Sequence, residues 1–293
     1  MYDMLTRKKL LKIQERLGMR IGVMHGTYKN PSVRTLKETL DTLNELYKVG
    51  LKAFVLPREM FGNITETSDI YKVHYGNLLK IKDLANKYNI ELSLHHTALS
   101  NQPDETLKIF RNLSSIMDCR TFIINPNFYS MMSHEQALKL VVYKINEIFI
   151  DQQADVKIGI ENTGKSRELG GFEDAIDIAK RTQGTEVIVN WGNIHARGAG
   201  SLRTQEDYKR IIEKLRQEIG PRYFDSAYFI FSGTSYGPSG KIKDIPLKDS
   251  DMKLEFLIRE IMSYDIKGTI IFDDPQKEKF IIKMMEKLAD MVR

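Results

Sequence analysis

Several apolar runs in this 293-residue chain end in side chains that could do chemistry. Glu186-Val187-Ile188-Val189 runs into Asn190-Trp191-Gly192-Asn193-Ile194-His195-Ala196-Arg197. Leu92-Ser93-Leu94 ends in His95-His96, Phe122-Ile123-Ile124 in Asn125, Ile158-Gly159-Ile160 in Glu161-Asn162, and Ile270-Ile271-Phe272 in Asp273-Asp274. Imidazoles and carboxylates of this kind serve acid–base catalysis or bind metal. Polar groups at the C-terminal ends of many parallel strands are how an eight-stranded α/β barrel builds its active site. Several of the groups are amides or aliphatics where metal chemistry calls for His or Asp. The pattern therefore reads as a legible site with its chemistry partly erased.

The elements that must position these residues follow from periodicity. Met19–Met24, Lys52–Leu56, Ile90–His95, Arg120–Ile124, Val156–Ile160, Glu186–Val189, Tyr228–Phe231 and Thr269–Phe272 read as strands. Helical spacing predicts helices over 33–49, 68–88, 103–117, 133–151, 172–182, 204–219, 249–264 and 276–292. Pro103 suits a first helical turn, and Ser133 with Gln136 makes a capping box. Strict alternation implies a parallel sheet with right-handed crossovers, and eight units favour a closed (β/α)8 TIM barrel. An extra N-terminal helix (Thr6 to Leu17) precedes it, giving an N-terminal segment 1–17 and one barrel domain over 18–293. The longest irregular stretch, Gly233 to Asp249, follows the seventh strand, where barrel enzymes often keep substrate loops.

Composition sets bounds. Hydrophobic content of 42% is ordinary for a soluble protein. No apolar run approaches the roughly 20 residues that span a bilayer, so no membrane partner is expected. Met1 to Arg20 is too charged for the apolar core of a secretory signal. The single cysteine, Cys119, cannot form an intramolecular disulfide, which fits a reducing cytoplasm. A net charge of +5 is compatible with an acidic partner such as nucleic acid. Interspersed Lys and Glu along the helices also describe a solvated face.

From about the third strand onward the chain resembles endonuclease IV, the apurinic/apyrimidinic endonucleases of the xylose-isomerase-like barrel superfamily. The resemblance is to archaeal-type members with an Asp-x-x-His-x-His-Ala-Arg segment after strand six. It rests on the Glu161-Asn162-Thr163-Gly164-Lys165 turn, His195-Ala196-Arg197, the Ser232-Gly233 turn and Ile245-Pro246-Leu247, in family order. The family cuts phosphodiesters with three zinc ions held by His, Glu and Asp at strand ends.

By that resemblance, His95 and Glu161 match family ligands. Asn125, Asn193 and Ile230 stand where the family has His, Asn190 and Ile242 where it has Asp. Asp244 replaces a His, and Asp273 shortens a Glu. Neutral amide is a poor substitute for imidazole or carboxylate, and an alkyl group is none. No three-zinc cluster is expected. A residual set of His95, Glu161, Asp244 and Asp273 could hold at most one divalent ion (Mn, Mg or Zn). The alternative is a hydrogen-bonded plug with Asn side chains donating to Glu161 and Asp273.

Lys165 and Arg197 are the phosphate-binding candidates, with His195 and Trp191 beside them. Trp191 stacks on a base or fills the emptied metal cavity. His25 lines the mouth, and His96 packs. The leading expectation is an endonuclease IV-like DNA-repair-type protein, catalytically impaired, that binds DNA (abasic or damaged), RNA or a protein partner. Glu161 and Asp273 are its inherited catalytic positions. One alternative is an active phosphodiesterase using one divalent ion. A second is a sugar isomerase or epimerase, whose relatives on this barrel hold one metal at the strand ends.

Overall fold

The structure, a computed structural model, describes residues 4–62, 75–98, 104–127, 132–150 and 156–292. Strands β1 (Met19–Met24), β2 (Ala53–Pro57), β3 (Glu91–Ala98), β4 (Thr121–Asn125), β5 (Lys157–Glu161) and β6 (Thr185–Asn190) pair in parallel in chain order. β7 (Ala227–Gly237) pairs with β6 and with β9 (Gly268–Asp273), and β9 pairs with β1. The circle is closed, and the fold is a (β/α)8 TIM barrel. The β6–β7 seam is short: only Val189↔Phe229 and Asn190↔Ile230 are paired.

Inside the barrel, Met24, Val55, Ile123, Ile188, Ile230 and Ile271 form a buried apolar layer. Between strands and surrounding helices lies a larger apolar core. The N-terminal helix Met4–Leu17 buries Leu10, Ile13 and Leu17. Its Gln14 side chain donates to the Gly50 carbonyl (2.8 Å) and accepts from Ile21 N–H (2.7 Å), tying the helix to the first strand and the following helix. The predicted box at Ser133 is present: Gln136 N–H donates to Ser133 Oγ (3.3 Å), and Ser133 N–H to Gln136 Oε1 (3.0 Å). The first third of the helix expected over 68–88, and Pro103 at the start of another, lie outside the described residues.

Two features depart from the sequence reading. The stretch after strand seven is not irregular. β7 runs on for 11 residues, and β8 (Gly240–Ile245) folds back antiparallel to it, pairing Gly233↔Ile245 and Thr234↔Asp244. Gly, Ser and Pro marked this stretch as a loop, but they make the hairpin turn at Gly237–Gly240. Directly after β6, a seven-residue helix, Trp191–Arg197, carries the polar cluster. Gly192 lets it lie against β7, since a Cβ there would sit 2.2 Å from Ser232 Oγ. No helix among the described residues is long and apolar enough to cross a membrane.

Candidate functional site

The C-terminal ends of β3, β5, β6, β7 and β9 bring His95, Glu161, Asn190, Ser232 and Asp273 to the barrel mouth, above the apolar layer. Four of the five are joined by hydrogen bonds. His95 Nε2 meets Glu161 Oε2 at 2.9 Å, and Asn190 Nδ2 donates to Glu161 Oε1 at 2.8 Å. The amide orientation of Asn190 is fixed from its other side. Asn193 N–H can only donate, and it reaches Asn190 Oδ1 at 3.1 Å, as does Ser232 Oγ. This bond also caps the short helix. Asn162 lies behind, accepting from Asn190 N–H (2.7 Å) and donating to the Asn190 carbonyl (3.0 Å), so its side chain extends the β5–β6 ladder. Asn193 Nδ2 donates to the Asn162 carbonyl (2.8 Å), and Lys241 Nζ donates to Asn193 Oδ1 (3.3 Å).

Charge in the mouth comes in pairs. Burial pushes the Glu161 carboxyl up, but the His95 hydrogen bond and charge, then Asn190 and Lys241, outweigh it and hold the acid below its usual range. Burial likewise opposes charge on His95, yet Glu161 and then Asp273 raise its pKa. Each partner thus favours the charged form of the other, with the carboxylate accepting from Nε2–H. Lys241 pairs with Asp244 at 2.6 Å. Lys277 Nζ lies 3.9 Å from Asp273 and donates to the Met24 carbonyl at 2.9 Å. Burial raises the Asp273 carboxyl even so.

His25, just past β1, sits at φ +67°, a left-handed conformation uncommon outside glycine. Its N–H donates to the Val55 carbonyl and its carbonyl accepts from Val33 N–H, both at 2.8 Å. The next residue must be glycine, because a Cβ on Gly26 would lie 2.1 Å from the Asn30 carbonyl oxygen. The His25 ring stands 5.4 Å from that of His95. Burial, then the charges of His95 and Lys277, drive its pKa well down, so it is neutral at pH 7. Its Nε2 is buried with no hydrogen-bond partner among the described residues. Such an atom costs about 1–3 kcal/mol.

The remaining residues singled out in the sequence have other surroundings. Trp191 is fully buried, stacked on Tyr208 at 5.3 Å and edge-on to Phe229 at 5.5 Å. It faces the outer core, so it neither fills the mouth nor offers a face to a base. His195 is also buried. Its Nδ1 accepts from Leu202 N–H (3.0 Å), which puts the proton on Nε2, and Nε2 donates to Asp251 (2.8 Å). Arg197 donates to the Lys165 carbonyl, the Glu168 carbonyl (3.0 Å) and Thr163 Oγ1 (3.4 Å), clamping the loop after β5. Its guanidinium is used by the fold rather than held for phosphate. Lys165 is exposed and pairs with Glu168 at 3.3 Å. Asn125 ends β4 half-buried. Asp244 and Ile242 sit on β8, with Ile242 at 69% exposure, and Ile230 belongs to the apolar layer. His96 packs edge-on to Phe110 and Phe122. Burial raises the Cys119 thiol, leaving it un-ionised.

Sequence reasoning missed Lys241 and Lys277, and it named Asn162 and Ser232 only within motifs, without a role. Only Lys277 carried a usable signal, four residues after Asp273 and so one turn away. Lys241 was hidden by reading its hairpin as a loop.

A metal centre does not fit this donor set. Among the described residues no group of three or more His, Cys, Asp and Glu is arranged to hold an ion. Both Glu161 oxygens are occupied by donors, Asn190 presents its NH2 rather than its oxygen, and the Lys241 ammonium bonds Asn193. An ion would have to displace His95 and Asn190 from Glu161 and sit beside an ammonium.

Fold and mouth together define a (β/α)8 barrel with a hydrogen-bonded polar cluster at one rim. No family model matches the chain. An uncharacterised protein of Methanocaldococcus jannaschii is 21% identical over 183 residues, covering 61% of this chain and 67% of that one. Among solved structures, a D-tagatose 3-epimerase-like protein superposes with a TM-score of 0.65 at 15% identity, covering 93% of this chain and 98% of its own. The IolI protein with a bound zinc atom gives 0.63 at 16%, covering 94% and 98%. A xylose isomerase domain-containing protein of Salmonella typhimurium gives 0.58 at 12%, covering 94% and 95%. At these identities the likeness is one of fold.

Proposed function

We propose that the protein binds a neutral, hydroxyl-rich small molecule of the sugar class at the barrel mouth, without a metal cluster. The observation that carries this reading is the pairing of charge: His95 with Glu161, Lys241 with Asp244 and Lys277 with Asp273. A polyanion needs cations left over, and here each has its carboxylate. A sugar hydroxyl both donates and accepts, so it can join such pairs without disturbing their balance. The epimerase-like relative has a sugar name on the same fold, which supports the class of ligand and nothing finer. Titration calorimetry of chelator-treated protein with D-tagatose and other ketoses tests the reading. Saturable binding that persists in chelator is expected. Binding that appears only after a divalent ion is added would overturn it.

The endonuclease IV-like reading stands second, favoured by exposed Lys165 on the loop beside the mouth and by the +5 charge. Three of its four nucleic-acid candidates, Trp191, His195 and Arg197, are engaged by the fold, which is why it no longer leads. In the same titration an abasic duplex at low salt would show affinity falling with log salt at roughly −0.9 per phosphate contact. Affinity of that kind, with none for any ketose, would reverse the order.

A further inference from the structure

We propose that His25 is a ligand-contacting residue of the mouth, its Nε2 forming a hydrogen bond with a ligand hydroxyl. The assignment rests on the reading of the mouth as a site for a neutral hydroxylated molecule, and it names one contact of that site. Three observations converge. The turn after β1 holds His25 in a left-handed conformation through two 2.8 Å backbone bonds, with a glycine required next to it. Left-handed backbone in a non-glycine residue persists only where surrounding structure fixes it, and such residues gather at binding sites. The ring is thereby set beside His95, at 5.4 Å and tilted 35°. Lys277 reaches the carbonyl of Met24, the residue before it, so the position adjoins two of the three charge pairs.

The third observation is contrast. At the centre of the mouth, both Glu161 oxygens, both Asn190 side-chain polar atoms and those of Asn193 are hydrogen-bonded. His25 Nε2 is buried and unpartnered among the described residues. A histidine serving only as packing looks like His96, edge-on to Phe110 and Phe122. Among the described residues His25 has no such aromatic socket, and its one ring neighbour there is His95. An imidazole nitrogen and a hydroxyl can each take either hydrogen-bonding role, so a neutral alcohol satisfies Nε2 in either tautomer.

The test uses the full chain labelled with [15N]histidine, a long-range 1H–15N spectrum of the imidazoles, and two probes, glycerol and D-tagatose. His25→Phe keeps the ring outline and removes the polar atoms; His25→Asn tolerates the left-handed backbone and supplies the affinity measurement if the Phe variant folds poorly. The His25 Nε2 resonance should move on adding either probe, and both variants should bind D-tagatose at least tenfold more weakly. The Phe variant, if folded, should melt no lower than wild type. If D-tagatose does not bind but glycerol still moves Nε2, the sugar reading fails and the contact stands. If D-tagatose binds and Nε2 stays still, the reading stands and the contact is overturned. Neither probe moving Nε2 overturns the contact, as does a folded Phe variant that melts several degrees lower.

Discussion

Two histidine–carboxylate pairs lie at or near the short helix Trp191–Arg197, and they have become different things. In the mouth, His95 and Glu161 lie 2.9 Å apart, and their hydrogen bond and mutual charge favour the ionised forms against burial. On the helix itself, His195 pairs with Asp251 at 2.8 Å, but the imidazole is sealed while the carboxylate is 46% exposed. There both ring nitrogens are committed, Nδ1 to Leu202 N–H and Nε2 to Asp251. Asp251 in turn accepts from Tyr236 OH at 2.6 Å. One pair sits where strand ends form the mouth. The other fastens the segment after the short helix, through Leu202, to Tyr236 on the β7–β8 hairpin and to Asp251 beyond it. Distance alone does not distinguish them; what each partner's remaining atoms touch does.

The comparison is broken most forcefully at Glu161. Glu161→Ala leaves a buried imidazolium and an amide donor without their acceptor. Removing one member of a buried pair costs about 3–5 kcal/mol. Urea unfolding should show a loss of that order, and a loss under ~1 kcal/mol would mean that the pair is not ionic in the folded protein.

The second effect is on pH. The His95 pKa is raised from 6.5, so its contribution is full below that value and is lost as pH rises through the folded value. The Glu161 pKa is lowered from 4.5, so its contribution is present above 4.5 and is lost as pH falls through the folded value. Together they support stability most between about 4.5 and 6.5, with decline on both sides. Subtracting the urea-derived stability of Glu161→Gln from that of wild type at each pH should yield this dome. A flat difference would show that the pair does not titrate with folding.

The smallest effect belongs to the other pair. Asp251→Asn keeps one oxygen as acceptor for His195, turns an NH2 toward the Tyr236 hydroxyl, which can accept, and removes a half-exposed charge. Half-exposed pairs are worth about 0–1 kcal/mol, and the loss in urea unfolding should fall in that range. A penalty matching Glu161→Ala would erase the distinction between the two pairs.

The barrel was legible because its signal is repeated. Each of the eight apolar runs that became a parallel barrel strand supported the others, and closure followed from their number. The ends of those runs also marked the mouth, since His95, Glu161, Asn190 and Asp273 are each the first polar residue after an apolar stretch or within one residue of its end. Which atom meets which partner was not legible. Asn190 could have turned either face to Glu161, and only the Asn193 N–H on its far side settles the matter. Trp191 looked like a rim residue because it follows a strand, yet a helix begins at that residue and turns its ring into the outer core. Lys241 depends on a hairpin whose Gly, Ser and Pro content concealed its strands. Local pattern shows where the backbone runs; the pairing of polar atoms depends on residues far apart in sequence.

The short seam between β6 and β7 gives Asn190 a second role. Only two residue pairs close the circle there, and Asn190 is in one of them. Its side chain also ties Ser232 on β7 to Glu161 on β5. The residue that shapes the mouth is thus a rivet in the barrel's hoop. Any occupant that tightened Glu161 and Asn190 against each other would tighten the hoop as well, so that ligand affinity and the cohesion of the cylinder are linked through one amide.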